Sequence, residues 1–148
     1  MRVLLLITIF SFFWSNVSIA KTTVLSCELT KFFITKNLLS DSTQIPLSKV
    51  APVYLGKKIL ILDFDTNEFI DSTVLTGGDY SEIRFLNQEV YFIGHQRNYF
   101  KYNAVLNRYT GELKHTVVPS DETVKKKPEE LGFKQQTFYN CQKTEKKF

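Results

Sequence analysis

Phe133-Lys134-Gln135-Gln136-Thr137-Phe138-Tyr139-Asn140-Cys141-Gln142 reads as a β-strand close to the end of a 148-residue chain, and it carries one of only two cysteines. The other, Cys27, lies in Thr22–Asn37, a stretch rich in β-branched and aromatic residues that also reads as a strand. Two cysteines in an exported chain admit a single intramolecular pairing. A disulfide holds its α-carbons within about 7 Å, so the first and last strands are expected to lie side by side. That constraint decides the architecture.

The chain between them is a run of strand and turn signals. Lys58–Asp65 places Leu60, Leu62 and Phe64 on one face and Ile59, Ile61, Asp63 and Asp65 on the other, wetter one. Glu68–Leu75, Tyr80–Leu86 and Glu89–Ile93 follow, separated by Thr76-Gly77-Gly78-Asp79 and Asn87-Gln88. Asn98–Asn107 alternates, with Phe100, Tyr102, Ala104 and Leu106 facing one way and Lys101, Asn103 and Asn107 the other. Arg108-Tyr109-Thr110-Gly111 turns it back into Glu112–Val118, where Leu113, His115 and Val117 share a side. Ser40–Lys57 holds Pro46 and Pro52 and reads as an irregular excursion or edge segment, since proline cannot donate to a central ladder. Pro119–Gly132 is the longest polar loop, with one helical turn at most, over Pro128–Gly132. About eight strands in a meander whose ends meet make an all-β, closed or nearly closed antiparallel barrel; a β-sandwich is the alternative.

The N-terminus points to a compartment. Arg2 precedes an uncharged apolar run from Leu4 to Trp14, and Ser18-Ile19-Ala20 then supplies small residues before Lys21. This reads as a removable signal peptide, residues 1–20, cut between Ala20 and Lys21. The apolar run is shorter than the roughly 20 residues that span a bilayer, which disfavours a retained anchor. Val24-Leu25-Ser26-Cys27 has the outline of a lipobox, but Lys21 separates it from the apolar run, and lipidating Cys27 would strand Cys141. The expected product is one β domain, residues 21–148, periplasmic or secreted, with a Cys27–Cys141 disulfide and no transmembrane segment.

Arg2 is the only charge before Lys21, so the remainder carries 18 basic and 15 acidic residues. The excess sits in Lys125-Lys126-Lys127 and in the tail, not in a basic face interleaved with aromatics, so nucleic acid is not an expected partner. There is no Cys-x-x-Cys, no Gly-x-Ser-x-Gly and no His-Glu-x-x-His. Asp63-Phe64-Asp65-Thr66 has the paired aspartates of the haloacid dehalogenase phosphatases, but Asn67 stands where their threonine belongs, and no stretch of helical period is long enough to flank their parallel sheet. Asp63-x-Asp65-x-Asn67 also opens like an EF-hand loop, but Glu68 replaces its glycine and Val74 its bidentate acid. Of the two histidines, His95 reads as an exposed residue in a Gly94-His95-Gln96 turn and His115 as a hydrogen-bonded inward one. No catalytic residue, metal ligand or cofactor is expected.

What remains is a non-catalytic binding or interaction module for an envelope component, a small ligand or a partner protein; a hydrolase-like enzyme with a dispersed site is the runner-up. Phe100, Tyr102, Leu106 and His115 are the candidate ligand-lining residues of the interior. Thr76, Gly77, Gly78, Asp79 and Tyr80 form the candidate interaction loop. That loop is similar to the Ser-Gly-x-x-Tyr loop of bacterial C-type lysozyme inhibitors, small exported barrels with a disulfide between distant strands. The resemblance implies that Thr76 and Tyr80 stand near a surface presented to an enzyme.

Overall fold

A computed structural model describes residues 22–37, 40–75, 79–96 and 99–144. The expected signal peptide, its Ala20–Lys21 cut, and Thr76, Gly77 and Gly78 of the candidate loop lie outside the described residues. Among the described residues nine strands run in chain order: β1 (Thr22–Thr35), β2 (Thr43–Gln44), β3 (Lys58–Asp63), β4 (Glu68–Ser72), β5 (Asp79–Phe85), β6 (Glu89–Gln96), β7 (Phe100–Asn107), β8 (Glu112–Pro119) and β9 (Lys134–Lys143). An α-helix, α1 (Asp121–Lys126), follows β8. All pairings are antiparallel, in the order β4-β3-β1-β9-β8-β7-β6-β5, with β2 a two-residue appendage on β1. The result is a nearly closed eight-strand barrel.

Strands β1 and β9 meet as the cysteines require. Cys27 and Cys141 stand directly opposite each other on β1 and β9 and are bridged, enclosing 114 positions of sequence. The Cys141 N–H donates to the Gly111 carbonyl at 2.8 Å, on the β8 side, so toward β1 this pair occupies a non-hydrogen-bonded site, where side chains approach most closely. Both cysteines point into the core with Leu25, Leu60, Leu62, Val90, Phe92, Leu106 and Leu113.

Among the described residues the ladder breaks elsewhere, between β4 and β5, which are consecutive in sequence but not paired. Each of these edges carries a bulge, at Ile70 in β4 and at Ser81 in β5. An extra residue kinks the edge and interrupts its row of free amides and carbonyls, which discourages pairing with another strand. Side chains close the gap instead. Phe69 of β4 meets Phe92 edge-on at 5.9 Å, and Phe64 meets Phe85 at 6.2 Å. The Arg108 guanidinium lies 4.3 Å over the Phe64 ring, and its Nη1 donates to the Leu86 carbonyl at 3.0 Å. That corner, at the Gly111 end, is a plug.

Three expectations change. Gly94, His95 and Gln96 continue β6 rather than forming a turn, because their backbone pairs with β7 through Tyr102, Lys101 and Phe100. Asp63 is buried rather than on a wet face: its Oδ1 accepts from the Asp65 and Thr66 amides at 2.8 and 3.0 Å, so that oxygen is engaged inside its own turn. The polar loop after β8 contains α1 in addition to a 3-10 turn at Pro128–Glu130. Ser120 caps α1 by accepting from the Thr123 amide at 3.2 Å, and acids lead while lysines trail, as the helix dipole favours.

Candidate functional site

The barrel interior is divided. At the Gly111 end it is aliphatic, aromatic and disulfide-filled; at the opposite end, where β1 reaches Thr35 and β9 begins, it is lined by hydroxyls and an imidazole. Strand alternation sets this. Register places Ala104 opposite His115 and His115 opposite Thr137, with Tyr102 opposite Gly94 and Gly94 opposite Tyr80. A bulge at Thr30 shifts the phase of β1, turning Phe32 inward after Leu25, Cys27 and Leu29. The Ser40–Lys57 excursion folds over this end. Its Tyr54 meets Phe32 edge-on at 5.2 Å, and Gln135 Nε2 donates to Tyr54 Oη at 3.1 Å.

His115 is 4% exposed and stacks on Tyr102, centroids 5.6 Å apart and planes 9° from parallel. Burial pushes its pKa down to about 4, so the ring is neutral at ordinary pH. Its Nε2 is enclosed and has no hydrogen-bond partner among the described residues. The sequence reading expected it to be hydrogen-bonded; at Nε2 it is not.

Tyr80 Oη is likewise enclosed without a partner among the described residues. Burial first, then the neighbouring Tyr102 and Tyr139, hold its phenol well above the usual range. Tyr139 is pushed up to about 12 by burial, against a hydrogen bond with Thr137 that pulls the other way. Tyr102 moves up through burial and then Tyr54. Burial and the other phenols dominate these shifts, and every one favours the uncharged form. This end of the barrel is polar but charge-averse.

No protein-family model, curated protein or solved structure matches the chain. Function must be read from this geometry.

Of the four residues expected to line the interior, Tyr102 and His115 come together at the polar end. Leu106 lies deeper, opposite Leu113 in the apolar half, and Phe100 is half-buried at the start of β7. In the candidate loop, Asp79 and Tyr80 open β5, and the Tyr80 hydroxyl is enclosed rather than presented outward. Sequence reasoning missed Tyr54, Gln135 and Tyr139. Tyr139 was recoverable, since it lies two residues before inward Cys141 in the same strand; Tyr54 was not, because an irregular excursion has no period to read. No group of three or more potential metal ligands occurs among the described residues. A separate surface cleft of about 700 Å³ lies beside α1, lined by Thr35, Val118, Val124, Leu131 and Phe133 among others.

Proposed function

We propose that the chain is an exported, non-catalytic binding module that takes a small ligand at the hydroxyl-lined end of its barrel. The reading is carried by one observation: Tyr80 Oη and His115 Nε2 are both enclosed and lack protein partners among the described residues. Leaving a buried polar group unsatisfied costs about 1–3 kcal/mol. Neither atom is open to solvent, so this hydrogen-bonding capacity becomes available to a ligand when that end of the barrel opens.

Catalysis fits this end less well. A general acid or base works best with a pKa near the working pH, whereas here the imidazole is held low and the phenols high. Export is supported by the disulfide, which persists in oxidising compartments. The lysozyme-inhibitor-like alternative requires Tyr80 near a presented surface, and an enclosed hydroxyl supports the interior reading over it.

The test is to isolate the chain from its native compartment under non-denaturing conditions, record its intact mass, and extract it with denaturing solvent. The mass should correspond to a start at Lys21 less two hydrogens. Extraction should release a non-covalent small molecule in near-equimolar amount. A retained N-terminus or a lipid on Cys27 would overturn the export reading; a protein that carries nothing and accepts no ligand would overturn the binding reading.

A further inference from the structure

The cleft beside α1 lies between the ends of β1, β8 and β9 and the connection that α1 opens. Its volume of about 700 Å³ falls in the range of small-ligand sites, roughly 300–1,000 Å³. Val118 from β8, Val124 from α1, and Leu131 and Phe133 from the run into β9 supply an apolar wall. None of the four is fully buried, and Leu131 is 47% exposed. The wall is anchored, because the Ser120 amide and the Thr123 hydroxyl both donate to the Tyr99 carbonyl at 2.8 Å. Charge at the cleft is mainly of one sign. Lys125 and Lys134 line it, against one lining carboxylate, Asp121. Lys101 Nζ donates to Asp121 Oδ2 at 2.8 Å, and Lys101 first, then Lys125, hold that carboxyl below its usual range. Three ammonium groups thus stand against one carboxylate, and Lys134 forms no ion pair among the described residues. The lining hydroxyls of Thr35 and Ser42 are bonded to each other at 2.7 Å, so recognition of a polar head falls to the lysines.

We propose that this cleft binds a free fatty acid of medium chain length, its acyl chain laid along Val118, Val124, Leu131 and Phe133 and its carboxylate held by Lys125 and Lys134. An exposed lysine such as Lys125 lets the headgroup stay hydrated at the rim while the chain leaves water, which avoids the cost of burying an ion. The chain supplies affinity through the apolar area it removes from water, and the ammonium groups select the sign of the head. The site is outside the barrel, so it stands or falls separately from the interior reading.

Decanoate, octanoate, decyltrimethylammonium and acetate, titrated separately into the full exported chain and followed by calorimetry and thermal melting, resolve head from tail. Decanoate should bind one to one and raise the melting temperature by about 3–6 °C at ten times its Kd. Octanoate, two methylenes shorter, should bind about three- to tenfold more weakly. Decyltrimethylammonium, with the same chain and the opposite charge, should bind at least about tenfold more weakly than decanoate, and acetate should not register. Lys134→Gln should weaken decanoate about three- to tenfold. Lys57→Gln, which removes an equal charge outside the lining, should leave it unchanged. Leu131→Asp puts a carboxylate into the exposed wall and should abolish decanoate binding; if that variant does not fold, Lys134→Gln against Lys57→Gln decides alone. A decanoate titration without a melting shift, equal or tighter binding of the cationic amphiphile, or a stoichiometry well above one overturns the proposal. So does decanoate binding that is indifferent to Lys134→Gln.

Discussion

Gly111 shows how tightly one residue is bound to the closure of the barrel. It ends the β7–β8 turn at φ +73°, and an added Cβ would lie 2.2 Å from the Cys141 carbonyl oxygen. Its own carbonyl accepts from the Cys141 amide, so relaxing the clash would break that bond. Gly111→Ala should therefore lose about 2–4 kcal/mol, combining left-handed backbone cost with steric displacement, as read from urea unfolding midpoints. Gly56→Ala is the control: it shares positive φ but meets nothing within 4 Å, and should lose only about 1–2 kcal/mol. His115 yields a prediction about acid. Its pKa is about 4 in the folded chain against 6.5 for the free side chain, so below pH 6.5 the unfolded state binds a proton that the folded state refuses. The resulting stabilisation is complete above pH 6.5 and declines as pH falls toward 4, by about 3 kcal/mol. His115→Phe should flatten that part of the stability profile relative to the parent while keeping a ring against Tyr102.

Among the elements, α1 is the one whose short length conceals its anchoring. The Tyr99 carbonyl receives both the Ser120 amide and the Thr123 hydroxyl at 2.8 Å, and Lys101 Nζ reaches Asp121 at 2.8 Å. The helix thereby fastens the β8–β9 connection onto the start of β7 and the residue before it. Ser120→Ala should cost about 1 kcal/mol and raise amide exchange over 121–126 without touching the barrel strands. The signals for this helix were present in Ser120-Asp121-Glu122 and the lysines behind them; six residues are too few for hydrophobic periodicity to show. The strands were legible because one wet face and one dry face impose a period of two, which is why Phe100–Leu106 and Leu113–Val117 were readable residue by residue. Their phase was legible only up to a bulge. Thr30, Ile70 and Ser81 each insert a residue that shifts register, and no local composition marks those points. The site suffers most from this, since Phe32 faces the interior only after the Thr30 bulge.

At the scale of the whole molecule, the barrel consists of two meanders, β5 through β9 on one side and β1, β3 and β4 on the other, which among the described residues pair only where β1 runs beside β9. The opposite junction, between β4 and β5, is held by side chains such as the Phe64–Phe85 and Phe69–Phe92 contacts, without strand pairing. Cooperativity between the halves therefore depends heavily on the β1–β9 ladder and the disulfide within it. Removing the bridge with Cys27→Ala and Cys141→Ala releases a closed loop of more than 100 residues, for which chain entropy alone gives about 4–5 kcal/mol, and it leaves two small cavities in the apolar half. Urea unfolding should show a loss of about 3–5 kcal/mol as a single transition with an m-value no lower than the parent's, because the ladder survives loss of the bridge while the released unfolded chain exposes more surface. A fall in m, or two separate transitions, would mean that the covalent bond rather than the ladder couples the two meanders, and that without it the open β4–β5 seam lets the halves unfold apart.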